Sequence, residues 1–181
     1  MNSIHVLFKI ILGCISLQTS ISAQACDPPT DINHTWSNCT SEPESWYGLS
    51  TSFRNWDYAV QSCQAANSEL LIVSNVDEDT CAFNVINDNK VFDEMVLFSG
   101  RYYGNTGWVW CPALDAGVSP SDGCTSSMNS YKNFLSSSTA YGNCMGGYLG
   151  KPRNFQSYGW IMRECSTLVV NQVRAICRYK C

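Results

Sequence analysis

Histidine is scarce in this 181-residue chain: there are two, and the first, His5, lies in an N-terminal stretch marked for removal. Only His34 is left to the remainder. Serine and cysteine nucleophiles need a neighbouring base, so Ser-His-Asp and Cys-His catalysis have no support. Close Cys-x-x-Cys pairs are also absent, which with a lone histidine removes the usual zinc patterns. Past residue 25 no apolar run approaches the roughly 20 residues that span a bilayer. Lys and Arg number 11 against 15 Asp and Glu and form no stripe, so a nucleic-acid backbone would find nothing to attract it. Internal repeats and long charge runs are missing too.

What is present begins with the leader. Met1 to Lys9 carries one positive charge, Ile10 to Leu17 is apolar, and Ala23-Gln24-Ala25 places small residues where a signal peptidase reads them. Residues 1–25 therefore read as a signal peptide; Gln18, Thr19 and Ser20 interrupt the run too early for the alternative, an uncleaved anchor. Cleavage leaves 181 − 25 = 156 residues, enough for one domain with a genuine core, and removes Lys9 alone among charged residues, taking the net charge from −4 to −5. Of 11 cysteines, Cys14 goes with the leader. An even set remains: Cys26, Cys39, Cys63, Cys81, Cys111, Cys124, Cys144, Cys165, Cys177 and Cys181. In an oxidising compartment that is a disulfide framework. Asn33-His34-Thr35 and Asn38-Cys39-Thr40 are glycosylation sequons, of which Asn33 is favoured because a cysteine occupies the middle of the other.

Trp56, Ala59, Val60 and Cys63 fall at i, i+3, i+4 and i+7, which predicts an amphipathic helix over 56–66. Leu70 to Val73 reads as a short strand. Asn75 followed three residues later by Glu78 predicts a capping box, with Asp77 and Asp79 adding charge to the first turn of a helix over 76–86 whose interior is Cys81, Ala82, Val85 and Ile86. Met95 to Phe98, Trp108 to Trp110 and Arg174 to Arg178 read as strands. Between Cys111 and Trp160, seven glycines and nine serines leave little periodicity, so this stretch is expected to be an ordered loop system stapled by its cysteines.

The order of these pieces resembles the C-type lectin-like family. Trp56, Ala59 and Cys63 match its first-helix spacing; Leu70, Ile72 and Glu78 match the following strand and second helix. Leu97-Phe98-Ser99-Gly100 loosely resembles its Trp-Ile-Gly-Leu strand, Trp108-Val109-Trp110 its Trp-x-Trp strand, and Trp160 to Cys165 with Ile176-Cys177 its ending. The resemblance implies an α+β fold of two helices, short antiparallel strands and a long disulfide-stapled loop at about 111–160, in one domain over 26–181 with an N-terminal hairpin at 26–55. It implies the pairs Cys63–Cys177 and Cys144–Cys165, and Cys26–Cys39 as in the family's long form. Cys81, Cys111, Cys124 and Cys181 then have three possible pairings; Cys111 with Cys124 is favoured because both lie in one loop, which would leave Cys81 with Cys181.

Sugar-binding members of that family hold calcium through Glu-Pro-Asn or Gln-Pro-Asp in the long loop and Trp-Asn-Asp near its end. Calcium requires six to eight oxygens. Here Ser138, Thr139 and Ala140 stand at the first motif, and Ile161 and Met162 follow Trp160 at the second. Asp115, Asp122 and Glu164 are the only acids between Trp108 and Cys165, too scattered to replace the site, so no metal and no cofactor is implied. The expected function is that of a secreted binding protein for a glycan or an extracellular protein. Tyr141, Tyr148, Arg153 and Tyr158 are the candidate ligand-binding residues, because they offer aromatic faces and a bidentate cation in one loop. The alternatives are a structural or adaptor module, in which those rings pack the loop, and a carboxylate glycosidase built on Asp77, Glu78 and Asp79, for which helix capping and solvation are the simpler account.

Overall fold

The computed structural model describes residues 26–31, 33–51, 55–103, 107–111, 124, 131–135, 142–151, 157–165 and 173–181. Both helices form where the periodicity places them. Helix α1 is Trp56–Ala65, capped by Asn55, whose side chain accepts the Tyr58 N–H; its buried residues are Trp56, Ala59, Val60 and Cys63. Helix α2 is Val76–Asp88, and the Asn75 side chain accepts from the N–H groups of Asp77 and Glu78, each at 2.9 Å. The capping box is only half formed. Glu78 does not return to the Asn75 N–H; its Oε2 accepts from the Ser74 N–H and hydroxyl, both at 2.6 Å.

Among the described residues eight strands make one sheet: β1 His34–Cys39, β2 Glu42–Ser50, β3 Glu69–Leu70, β4 Met95–Tyr103, β5 Gly107–Trp110, β6 Cys144–Leu149, β7 Tyr158–Arg163 and β8 Arg174–Lys180. The order is β1-β2-β8-β4-β6-β7, with β3 on β8 and β5 on β4. β4 and β8 run parallel, so the sheet is mixed where antiparallel strands were expected. The strand expected over Leu70 to Val73 shrinks to β3, because Leu71 serves two neighbours: its N–H donates to Ile176 O and its carbonyl accepts from the Ser99 N–H, each at 2.9 Å. One apolar layer carries Cys81, Ala82, Val85 and Ile86 of α2 against Phe98, Trp110, Met145 and Trp160. The other carries the α1 stripe against Leu97, Val109, Ile161 and Ala175.

Strand β6 lies inside the stretch expected to be loop. Its sequence, Cys-Met-Gly-Gly-Tyr-Leu, has low strand propensity because the backbone is approached closely there. A Cβ on Gly147 would meet Phe98 Cζ at 2.7 Å and Ile86 Cδ1 at 2.9 Å. Glycine answers the packing and hides the strand.

Five disulfides use all ten cysteines of residues 26–181. Cys63–Cys177, Cys144–Cys165 and Cys111–Cys124 are the pairs expected. The first joins residues 114 apart, a closure worth about 4 to 5 kcal/mol in the chain-entropy account. The other expected pairs, Cys26–Cys39 and Cys81–Cys181, are replaced by Cys26–Cys181 and Cys39–Cys81, each with Cα atoms 5.6 Å apart. Strand register explains the exchange. Cys39 opposes Glu42 at the turn of the β1–β2 hairpin, where β2 meets α2 and so Cys81. Cys26 lies beside Trp46, whose Nε1–H donates to the Cys26 carbonyl, and Trp46 pairs with Tyr179 two residues before Cys181. Among the described residues no helix is long and apolar enough to cross a membrane.

Candidate binding site

Two consecutive residues of α2 divide the fold between them. Glu78 faces β8, where its carboxylate accepts from Arg178; Arg178 also donates to Glu69 at 2.7 Å. Burial alone would lower the Arg178 pKa, but the hydrogen bond to Glu69 and the charges of Glu78 and Glu69 hold it above its ordinary value. Asp79 faces the long loop and is 4 % exposed. Its Oδ1 accepts from Tyr158 OH and Trp160 Nε1–H, each at 2.8 Å, and its Oδ2 from Tyr131 OH at 2.8 Å and Asn133 Nδ2–H at 2.6 Å. Four neutral donors surround one buried carboxylate. Burial and the bond to Asp79 push the Tyr131 phenol up to about 12, and burial with the Asp79 charge raises Tyr158 as well.

Segment 131–135 is thereby fastened to β7, where Trp160 N–H donates to Asn133 O at 2.7 Å and Leu135 N–H to Trp160 O at 3.1 Å. The Trp160 indole meets Trp110, Tyr131 and Phe134 edge-on, with ring centroids 6.0, 5.7 and 5.5 Å away. A second carboxylate holds the far end of the loop system. Asp93 Oδ1 accepts from Tyr148 OH and from Lys151 N–H, both at 3.1 Å, while Lys151 Nζ approaches Oδ2 at 3.0 Å. The Lys151 side-chain contact keeps the Asp93 carboxyl below its usual range.

The sequence-predicted site residues are not gathered on one surface. Leu149 opposes Tyr158 across the β6–β7 ladder, so Tyr148, one residue earlier, points to the opposite face from Tyr158. Each is half-buried, one on Asp93 and the other on Asp79, with Tyr158 also edge-on to Phe83 at 5.2 Å. Tyr141 and Arg153 lie outside the described residues, as do Ser138, Thr139, Ala140, Asp115, Asp122 and the leader. Of the acidic trio, only Asp77 is exposed; Glu78 and Asp79 are buried with partners and do not oppose each other across a cleft as glycoside chemistry requires. Solvation was the wrong account of those two acids. A signal was available, since Glu78 stands at i−3 and i−4 from Cys81 and Ala82, and Asp79 at i−3 and i−7 from Ala82 and Ile86, within the apolar stripe.

His34, Cys63 and Cys177 place ligand atoms within 4.8 Å of one another, but both sulfurs belong to a disulfide, which leaves no thiolate for a metal. His34 Nδ1 meets Asp31 and its Nε2 lies 3.2 Å from Cys177 Sγ. At the sequons, Asn33 and Asn38 are both exposed, and Asn38 Nδ2 donates to Pro43 O at 3.1 Å and Ser45 O at 3.2 Å.

No protein-family model and no curated protein matches the sequence. Solved structures do match. The mouse scavenger receptor C-type lectin carbohydrate-recognition domain superposes with a TM-score of 0.54 at 19 % identity, covering 80 % of this chain and 93 % of that one. Human lithostathine gives 0.55 at 21 %, covering 88 % and 99 %, and SPL-1 in complex with GlcNAc gives 0.55 at 21 %, covering 87 % and 98 %. The fold is that of a C-type lectin-like domain. In this fold Ile161 and Met162, which follow Trp160 in β7, are 7 % and 8 % exposed. Two buried apolar side chains offer no oxygen to a hard cation. Glu164, two residues beyond Met162, is exposed.

Proposed function

We propose that the chain is a secreted, disulfide-stapled C-type lectin-like binding protein that recognises a glycan or an extracellular protein without a calcium bridge. The observation that carries this reading is the substitution of Ile161 and Met162, buried in β7, for the oxygen ligands of the family's second motif. The glycan arm draws on the SPL-1 complex with GlcNAc and on the carbohydrate-recognition domains among the neighbours. Secretion draws on the leader and on five disulfides, which persist in oxidising compartments. Asn33 is the favoured glycan acceptor, since Asn38 already commits its amide to the hairpin.

In this reading the ligand-bearing loop runs from Tyr141 to Tyr158 and includes Arg153. Tyr148 in β6 and Tyr158 in β7 enter it as anchors, tied to Asp93 and Asp79, and loops held by a rigid scaffold are where binding residues concentrate. The test is a glycan array run beside a pull-down from extracellular fluid, each in millimolar calcium and in chelator. The same ligands should be captured under both conditions. Capture that appears only with calcium would overturn the reading.

A further inference from the structure

The aromatic rings do not stop at the core. On β4, alternation puts Phe98, Gly100 and Tyr102 on one face, and β5 sets Trp110 opposite Gly100 and Trp108 opposite Tyr102. Phe98 and Trp110 are buried, Trp108 is half-buried, and Tyr102 is 44 % exposed. The centroids step outward from Trp160 to Phe134 at 5.5 Å, from Phe134 to Trp108 at 6.4 Å, and from Trp108 to Tyr102 at 5.6 Å with the last two planes at 58°. A file of four rings thus begins in the core and ends in solvent.

From this geometry we infer that Tyr102 and Trp108, backed by Phe134, form a ledge that binds the C–H face of a pyranose ring. The inference rests on the glycan arm of the proposed function and adds to the 141–158 segment a further contact on β4 and β5. Three physical points select this occupant. Size is the first: one exposed and one half-buried ring fall far short of the roughly 800 Å² each partner contributes to a stable protein interface, but match one sugar ring. Chemistry is the second, since an aromatic face carries partial negative charge that attracts the polarised C–H bonds of a sugar, while a tyrosine hydroxyl offers its rim a hydrogen bond. Rigidity is the third. Both rings stand on a paired hairpin and lean on Phe134, and their two χ angles leave little entropy to lose on binding. Exposed Asn143, whose carbonyl accepts the Tyr102 N–H at 3.0 Å and whose Oδ1 accepts the Cys165 N–H at 2.9 Å, lies beside Tyr102 and fixes that edge of the ledge.

The experiment titrates chitohexaose, cellohexaose and laminarihexaose separately into ¹⁵N-labelled protein in excess chelator. At least one should shift the Trp108 indole N–H resonance while that of Trp160 stays in place. Tyr102→Ala should then weaken that saccharide by about tenfold or more, Tyr102→Phe by much less, with both variants melting as the wild type does. If ligands found on the array bind Tyr102→Ala as well as wild type, the ledge is wrong and the glycan reading stands. If no saccharide binds in either format, both fail together.

Discussion

Glu78 and Asp79 are neighbours on one helix, carry the same charge and are equally buried, yet the protein answers them by opposite means. Glu78 faces the scaffold and meets a cation, Arg178, reinforced by two donors from Ser74. Asp79 faces the long loop and meets four neutral donors, the aromatic side chains of Tyr131, Tyr158 and Trp160 and the amide of Asn133. A counterion compensates charge at one point and joins two elements. A ring of dipoles compensates the same charge only if several segments arrive in register, so Asp79 specifies the loop base as well as neutralising itself.

Replacing Asp79 should therefore have the largest effect. Asp79→Ala strands the buried Trp160 Nε1–H and three half-buried donors, at up to about 1–3 kcal/mol apiece before relaxation, and a net loss of about 3 kcal/mol or more is expected by chemical denaturation. Asp79→Asn should lose less, because the Tyr131 hydroxyl can turn to accept from the new amide while the retained oxygen serves Trp160. Equal losses for the two variants would mean that space, and not hydrogen bonding, matters at this site.

Arg178→Met comes next. It leaves Glu78 buried without its cation, a loss of about 3 kcal/mol or more. Adding Glu78→Gln should recover most of that, whereas Asp79 has no single counterion whose removal could be so repaired. A failure of the double variant to recover would erase the contrast between the two acids.

The alkaline range sharpens the loop side. Tyr131 and Tyr158 donate to Asp79 only while protonated, and Tyr131 holds its proton up to about 12 against an ordinary 10.0. A group with a raised folded-state pKa stabilises the fold fully below the unfolded value and loses that contribution as pH rises through the folded one. Stability should thus fall as pH rises from about 10 towards 12. Tyr131→Phe should cost about 1 kcal/mol at neutral pH and reduce the alkaline decline. An unchanged decline in that variant would place the titration elsewhere.

These contrasts also show what could be read from residue order. The helices were legible because their cores repeat at helical spacing and because Asn75 caps the start of α2. The Cys63–Cys177 and Cys144–Cys165 pairs followed from the family resemblance. Strand β6 was not legible, since Gly146 and Gly147 are selected by the approach of β4 and α2 and carry no strand propensity. The partners of Cys26, Cys39, Cys81 and Cys181 depend on strand register, which a single sequence does not display. Asp79 was hidden in plain pattern: three successive acids at a helix start satisfy the dipole whether or not they are buried. The candidate site suffered most, because Tyr148 and Tyr158 share composition and loop but not a face.

The smallest expected effect is the most direct test of the account. If the loop base is held by Asp79 and its donors, with Ile161 and Met162 buried where calcium oxygens would be needed, no ion is available to stabilise the folded state by mass action. The measurement is the melting temperature of the purified protein in millimolar calcium and in chelator. The account predicts the same value in both, and a rise of several degrees with calcium would contradict it.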